Sequence, residues 1–334
     1  MGGGLMQLVA MGAQDVYLTG NPQITFFKVV YRRHTNFSKE AIKQEFNGAG
    51  TSKTCTLARN GDLIQEMYIV SDHATAAASV TSVEVEIGGQ KIDKHYSTWL
   101  DIYDQLFETN HALKNAMESK FLPLRFWFNR NPGLALPLIA LQYHEVKVVI
   151  EGATNCGNLL VNYLYLDTDE RRRFAQVSHE YLIEQVQHTG KETDATIDMS
   201  FNHPVKALFW SGKKWDKVKL QLNGHDRAAE QEHDYYHLVQ PYESGLGHSG
   251  QQMSDKRAWS TVTGGYDAAV STVGMYSFCL KPAEHQPSGT CNFSRIDNAR
   301  LNVTNADSDG LYLFALNYNV LRIMSGMGGL AYSN

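Results

Sequence analysis

LLVNYLYLDTDERRRFAQVSHEYLIEQVQ, residues 159–187, decides how the rest of the chain is read. It begins with a run rich in Leu, Val and Tyr, the composition of a buried strand. At Asp167 the pattern changes. Asp167 with Glu170 resembles a capping box, acidic residues fill the first turn, and Arg171 to Arg173 follow. From Tyr181 to Val186 the residues read as a strand again. Strand, one or two helical turns and strand make a compact joint, predicted at 169–180 near the middle of 334 residues.

The two sides of this joint resemble each other. Phe126, Phe128, Pro132, Pro137, Tyr143 and Val146 recur 150 residues later as Tyr276, Phe278, Pro282, Pro287, Phe293 and Ile296. Val83-Val85-Ile87-Gly88-Gly89 is echoed 135 residues on by Val218-Leu220-Leu222-Asn223-Gly224. Val161-Asn162-Tyr163 matches Leu316-Asn317-Tyr318. Order is kept while spacing drifts, as when strands are retained and loops change length. The chain therefore reads as a duplicated β-domain.

Length allows two domains, each with its own core. Charged residues at 19% and aromatics at 11% mark a globular chain. Thirty basic against 35 acidic residues leave a net charge of −5, which argues against a protein that coats nucleic acid. Cys55, Cys156, Cys279 and Cys291 form no CxxC pair and read as buried free thiols of a reducing compartment. No secretory leader is visible, since Leu5 to Met11 is short and lacks a basic start. The apolar run near Gly133 to Leu141 is too short to cross a bilayer.

In chain order, residues 1–24 cannot fold alone and read as an arm that docks on something else. Strands are expected at Thr54–Leu57, Leu63–Val70 and Thr81–Ile87, with turns at Arg59–Asp62 and Gly88-Gly89. His95 to Ser119 is the best helix candidate, with Trp99, Ile102, Tyr103, Leu106, Leu113 and Met117 at helical spacings. Leu124–Phe128 and Leu138–Ile150 read as strands around a Pro132–Pro137 loop. The second half offers strands at Thr196–Phe201, Ala207–Trp210, Val218–Leu222, Tyr276–Leu280, Asn298–Val303 and Leu311–Ile323. His225–Gln252 reads as polar and irregular, and Met324–Asn334 as a Gly-rich tail. Many short strands with Gly-Gly and Asn-Gly turns indicate an all-β chain with room for eight strands in each half, the jelly-roll number.

A search for chemistry yields no catalytic, cofactor or metal residues. Gly245–Gly250 fits GxGxxG but has no strand before it and no helix after it. His233 and His237 are four apart without the HExxH context, and His144-Glu145 and His179-Glu180 lack a second His. Arg171–Arg173 could meet a phosphate, but the acids beside them favour a turn paired within itself. Sequons at Asn36, Asn292 and Asn302 are expected to be unused without a secretory route. Two rivals to a structural role stay open: a jelly-roll glycan-binding module, for which Trp210 with Trp215 is the nearest aromatic pair, and a metal-dependent β-barrel enzyme.

The segment AQDVYLTGNPQITFFKVVYRRHTNF, Ala13 to Phe37, closely resembles the N-terminal signature of the major capsid proteins of nucleocytoplasmic large DNA viruses, especially the algal phycodnaviruses and chloroviruses. Matching runs continue with RNGDLI at Arg59, EIGGQKIDKHY at Glu86, NPGLALPLIALQYHEVK at Asn131, HEYLIEQ at His179, QLNGHDR at Gln221 and NYNVLRIMSGMGGLAY at Asn317. The resemblance implies two consecutive eight-stranded antiparallel jelly rolls, at 25–168 and 181–334, with short helices in loops. It implies a structural subunit of an icosahedral capsid, not an enzyme, located in the virion and assembled in the host cytoplasm. Its partners would be itself, as a pseudo-hexagonal homotrimer among neighbouring capsomers, and minor capsid proteins and the internal membrane side through the N-terminal arm. No direct nucleic-acid contact is implied, and a minor or penton capsid role is the variant reading. A trimer of two-barrel chains offers six lobes to a flat facet from one closed three-fold assembly. The chain is shorter than the family pattern at Ser71–Val80, Glu151–Asn158, Ser211–Lys217 and Thr304–Gly310. That reads as trimmed loops on an intact frame.

Overall fold

The computed structural model describes residues 3–10, 12–48, 50–73, 78–108, 110, 113, 116–117, 120–246, 272–306 and 308–332. The chain divides into two compact units, Met1–Asn36 and Phe37–Asn334. The first holds two short helices, Gly3–Val9 and Val16–Thr19, followed by bends without a strand. Its apolar side chains, among them Tyr17, Leu18, Phe26, Phe27 and Tyr31, are exposed. A segment with so many bare aromatics and no core has nothing of its own to fold around.

In the second unit the first barrel runs through β1 (Phe37–Glu45), β2 (Lys53–Thr56), β3 (Leu63–Ser71), β4 (Ser82–Ile87), β5 (Gln90–Tyr96), β6 (Phe121–Pro123), β7 (Leu136–Pro137), β8 (Val146–Glu151) and β9 (Cys156–Leu166). One sheet has the order β1-β9-β3-β6, with β7 added to β3, and the facing sheet β2-β8-β4-β5. After the Thr168–Gln176 helix come β10 (His179–Glu192), β11 (Thr196–Asp198), β12 (Pro204–Gly212), β13 (Lys217–Leu222), β14 (His225–Glu232), β15 (Thr272–Ser277), β16 (Cys291–Asn292), β17 (Ala299–Thr304), β18 (Leu311–Met324) and β19 (Met327–Leu330). Their sheets are β10-β18-β12-β15 and β11-β17-β13-β14, the same path repeated, and every pairing is antiparallel. This is a double jelly roll. The fold expected from the sequence is the fold observed.

Each sandwich encloses its own core because its strands alternate. Val83, Val85 and Ile87 of β4 meet Val146, Val148 and Ile150 of β8 inside the first barrel. Val218 and Leu220 of β13 meet Leu301 and Val303 of β17 in the second, joined by Trp210, Trp215, Tyr236 and Phe293. The echoed hairpins are the clearest trace of duplication. Gly88 and Gly89 have φ of 58° and 80°, and Asn223 and Gly224 50° and 77°. Both pairs satisfy the two positive φ values that a tight hairpin turn requires. Even the bulge recurs: the register skips Ile92 between Lys91 and Asp93, and Arg227 between Asp226 and Ala228.

Other matches correct in detail. Val161 and Leu316 lie on the equivalent strands β9 and β18, but Val161 faces the first core while Leu316 faces away from the second. A slip of one residue flips the face, so Val161 corresponds to Ala315. Phe126 lies beyond β6, whereas Tyr276 is within β15, its counterpart.

Several element boundaries also differ from expectation. His95 and Tyr96 complete β5, so the helix begins at Ser97 and ends at Leu106. The His95 ring is stacked on Phe126 with centroids 4.4 Å apart, which ties it to the barrel. Leu113 is exposed, and residues 109, 111, 112, 114, 115, 118 and 119 lie outside the described set. Leu124–Phe128 is not a strand: Asn129 Oδ1 accepts the Phe126 N–H at 3.1 Å and opens a helical turn, Trp127–Arg130. Residues 138–141 form turns, leaving only Val146–Glu151 as the strand. His225–Glu232 is a strand rather than irregular, followed by helical turns at Tyr235–Val239 and Gln240–Glu243. The tail folds back as β19 on β18.

Candidate functional site: the seam between the barrels and the loop end

The barrels stand side by side, with β5 of the first against β10 of the second. Val186 donates its N–H to Asp93 Oδ1 at 3.0 Å, and Gln185 donates its amide to the Ile92 carbonyl. Asn319 in turn donates to Gln185 Oε1 at 2.9 Å, fixing that amide. The Tyr96 ring lies 4.5 Å from His188, whose imidazole also stacks on Phe314 at 4.6 Å. Burial pushes the His188 pKa down. These contacts blunt two strand edges that would otherwise present bare backbone groups.

Above the edges, the Ser97–Leu106 helix lies across the outer face of the second barrel. Trp99, Ile102 and Leu106 are fully buried against Ala207, Phe209, Phe314 and Leu316. The Trp99 ring stands 5.4 Å from Phe209 and 5.7 Å from Phe314. Burying side chains of this size contributes about 1.5–3 kcal/mol each. β12 is therefore buried on both faces.

At the centre sits Glu184 on β10. Its Oε2 receives Arg130 Nη1 of the first barrel at 2.5 Å, and its Oε1 receives Lys206 Nζ of β12 at 2.6 Å. Lys206 is wholly buried, donates also to the Glu284 carbonyl at 2.8 Å, and lies over the Tyr318 ring. Burial opposes the Glu184 charge, but His285, Arg130 and Lys206 together outweigh it and hold the pKa to about 2. His285 Nδ1, at 3.8 Å, stands beyond direct hydrogen-bonding reach, so the two cations dominate. A cavity bounded by Trp127, Arg130, Glu184 and His285 opens beside this cluster. The C-terminal hairpin closes the seam at one end: Gly328 donates to His144 Nδ1 at 3.1 Å, and Tyr143 donates to the Gly326 carbonyl at 3.0 Å.

At the opposite end lie the described residues of all four shortened segments. Ser79 bridges Thr154, and Asp72 donates to the Asn155 carbonyl at 3.2 Å, joining Ser71–Val80 to Glu151–Asn158. Asn305 donates to Asp216 Oδ2 at 2.7 Å and Lys213 pairs with Asp309, joining Ser211–Lys217 to Thr304–Gly310. The loops zip together in pairs at one end of each barrel.

The residues singled out for chemistry are placed as follows. His144 holds the C-terminal hairpin, and His179 Nε2 meets the Phe174 carbonyl at 2.8 Å. His233 and His237 are buried with rings 5.0 Å apart, and His237 Nδ1 faces the Val273 carbonyl at 2.5 Å. Among the described residues, no three His, Cys, Asp or Glu side chains come together as a metal site. Gly245 follows a helical turn, and Gly247–Gly250 lies outside the described residues. Arg171 pairs with Asp62 of the first barrel at 2.9 Å rather than with an acid of its own turn, because Asp62 also accepts the Leu166 N–H there. Asp167 caps through the Thr168 N–H at 2.7 Å. Trp210 and Trp215 are fully buried and meet edge to face, offering no sugar platform. Asn292 Oδ1 accepts the Ser294 N–H, and Asn302 Oδ1 accepts from Thr196 while its Nδ2 donates to Gln221 Oε1 at 3.0 Å. All four cysteines are free, three of them buried. Sequence reasoning missed Glu184, Lys206, Arg130 and Asp93. The available signal was an acid inside the apolar run Tyr181–Val186.

Residues 25–169 match the family model of the major capsid protein N-terminus, and 170–217 with 267–329 match that of the large eukaryotic DNA virus major capsid protein. The major capsid protein of Pyramimonas orientalis virus is 50% identical over an alignment of 403 positions that covers all of both chains. That of Paramecium bursaria Chlorella virus 1 is 40% identical over 457 positions, again covering both completely. Both alignments are longer than this chain, which places its gaps inside the relatives rather than beyond them. A chain of the PBCV-1 virus capsid superimposes with a TM-score of 0.75 at 35% identity, over 93% of this chain and 100% of that one. With both barrels matched in sequence and in shape, the chain belongs to the major capsid proteins of large eukaryotic DNA viruses.

Proposed function

We propose that the protein is the tile of an icosahedral shell, working as a homotrimer whose six barrels present a pseudo-hexagonal outline to neighbouring capsomers. The observation that supports this reading is the seam. Two like barrels, set side by side in the same direction by a buried charge cluster and a covering helix, make one rigid element with two lobes. Three such elements around a three-fold axis give six. The domains follow as jelly rolls at 25–168 and 181–334 with the joint at 169–180. The protein acts by assembling, without catalysis, and its net charge of −5 suits a shell rather than a genome-coating role.

The loop end would face outward. The arm, residues 1–24, would lie on the inner side against minor capsid proteins or the internal membrane, where its bare apolar side chains find cover. Assembly would take place in the host cytoplasm. Light scattering after gel filtration tests the trimer: a mass near three times the 37.5 kDa chain, stable on dilution, is expected. A stable monomer would overturn it. Deleting residues 1–24 is expected to leave that mass multiple unchanged while reducing incorporation into shells.

A further inference from the structure

The chain holds three Asn-Gly pairs, at Asn47-Gly48, Asn60-Gly61 and Asn223-Gly224. Asparagine before glycine readily loses its side-chain amide, because glycine puts no side chain in the way of its own nitrogen. The three pairs share that chemistry, so differences between them come from the fold.

Asn47 and Asn223 are both held. The Asn47 carbonyl belongs to the same peptide group as the Gly48 nitrogen. It accepts the Thr54 N–H at 2.8 Å, while the Asn47 N–H donates back to the Thr54 carbonyl at 2.7 Å. That bridge fixes the peptide plane. Asn223 is fixed through its side chain instead. Its Oδ1 accepts the N–H groups of Asp297 and Asn298 at 2.9 and 3.1 Å, and its own N–H donates to the Asn298 carbonyl at 2.6 Å. An amide anchored twice cannot swing its Cγ onto the next nitrogen.

Asn60 has neither restraint. It is exposed in the irregular link between β2 and β3. Among the described residues, its side-chain amide, its carbonyl and the Gly61 N–H have no hydrogen-bond partner. The residues around it are anchored. Arg59 donates to the Gln142 and His144 carbonyls at 3.0 and 3.2 Å, and Asp62 pairs with Arg171 of the joint helix at 2.9 Å. A Cβ at Gly61 would come within 2.8 Å of Tyr163 Cβ, so packing keeps the glycine that leaves this nitrogen open.

We propose that Asn60 is a site of spontaneous deamidation, converting to aspartate and isoaspartate while Asn47 and Asn223 of the same chain are spared. Hydroxide takes the Gly61 N–H proton, the nitrogen bonds to Asn60 Cγ, and the side-chain nitrogen leaves as ammonia with a proton from water. Water then opens the cyclic imide. Breaking the Cγ–N bond gives aspartate; breaking the bond between the main-chain carbonyl carbon and nitrogen gives isoaspartate, whose main chain runs through Cβ. The sum is one water consumed and one ammonia released. Either product adds a negative charge, and isoaspartate adds a main-chain atom, to a link whose ends clamp the 141–144 segment and the joint helix. The molecule therefore ages at the joint between its barrels.

The test incubates the full chain in mildly alkaline buffer, digests it at mildly acidic pH so that handling adds no conversion, and follows the three pairs by peptide mass mapping. A parallel sample is kept unfolded in guanidinium. In the folded protein Asn60 is expected to convert at least about tenfold faster than Asn47 or Asn223, the penalty for a reacting pair held out of line. In guanidinium the three rates are expected to converge. A rate at Asn60 equal to or below the others in the folded protein overturns the proposal. So does an Asn60 advantage undiminished in guanidinium, since the fold would then not be its cause. Aged Asn60→Gln is expected to keep the melting midpoint of fresh protein, while the aged unsubstituted chain loses part of its own. A midpoint unchanged after full conversion overturns the effect on the joint.

Discussion

Both barrels tie the first strand of one sheet to the third by an ion pair, and the pairs are opposite in polarity and in setting. In the first barrel Lys39 meets Glu66 at 2.6 Å, with side chains 40% and 32% exposed. In the second Glu184 meets Lys206 at the same distance, with 6% and 0% exposed. The difference is what stands on them. The second barrel carries the helix and edge of the first on its outer face, whereas Tyr68 and Leu160 on the outer face of the first are only half-buried. Geometry alone does not set the worth of an ion pair. Removal from water makes the second pair strong only because Arg130 completes it, and would make it costly otherwise.

The largest expected effect comes from Glu184→Ala. It leaves Lys206 buried without its carboxylate and is expected to cost about 3–5 kcal/mol, read as a lowered denaturant midpoint. A cost below 1 kcal/mol would mean that the seam does not depend on this charge. Acid should act through the same residue. The Glu184 pKa falls from 4.5 unfolded to about 2 folded. Its contribution is therefore fully present above pH 4.5 and disappears as pH falls through 2. The total is about 3 kcal/mol, and Glu184→Gln should flatten this part of the stability-against-pH curve.

A third change sharpens the comparison at the two hairpin turns. Gly88→Ala places a Cβ 2.5 Å from the His144 ring and at φ 58°, displacing the residue that holds the C-terminal hairpin. About 2 kcal/mol is expected. Gly224→Ala meets no neighbour within 4 Å and should cost only the strain of its positive φ, about 1 kcal/mol. Equal losses in the two melting temperatures would show that the hairpin contact is idle. The smallest effect is Lys39→Ala, within about 0.5 kcal/mol by chemical denaturation of the monomer.

The frame was legible because jelly-roll strands are short, alternate in hydropathy and turn at Gly-Gly and Asn-Gly. Those local signals survive duplication. Register was not, since Leu316-Asn317-Tyr318 and Val161-Asn162-Tyr163 look alike while facing opposite ways. The helix at Ser97 was visible through Trp99, Ile102 and Leu106, but its start was misplaced. His95 and Tyr96 fit either period, and only the stacking of His95 on Phe126 decides between them. The seam was hidden for a deeper reason. A glutamate between Ile183 and Gln185 reads as a surface position until a lysine distant in sequence and an arginine from the other barrel are brought to it.

The pairing of shortened loops at one end has a practical side. Strands β3 and β9 are held by core contacts and ladders, not by the turns that join them to their neighbours, so those turns can be lengthened at little cost. Each doubling of a flexible loop adds only about 0.6 kcal/mol of closure entropy. Segments grafted at Asn155 or Asn305, both already in the left-handed conformation of a tight turn, would emerge from the same end of both barrels. With that end outward, as proposed above, a short-looped shell protein is a ready scaffold for displaying foreign peptides in a dense, regularly spaced array.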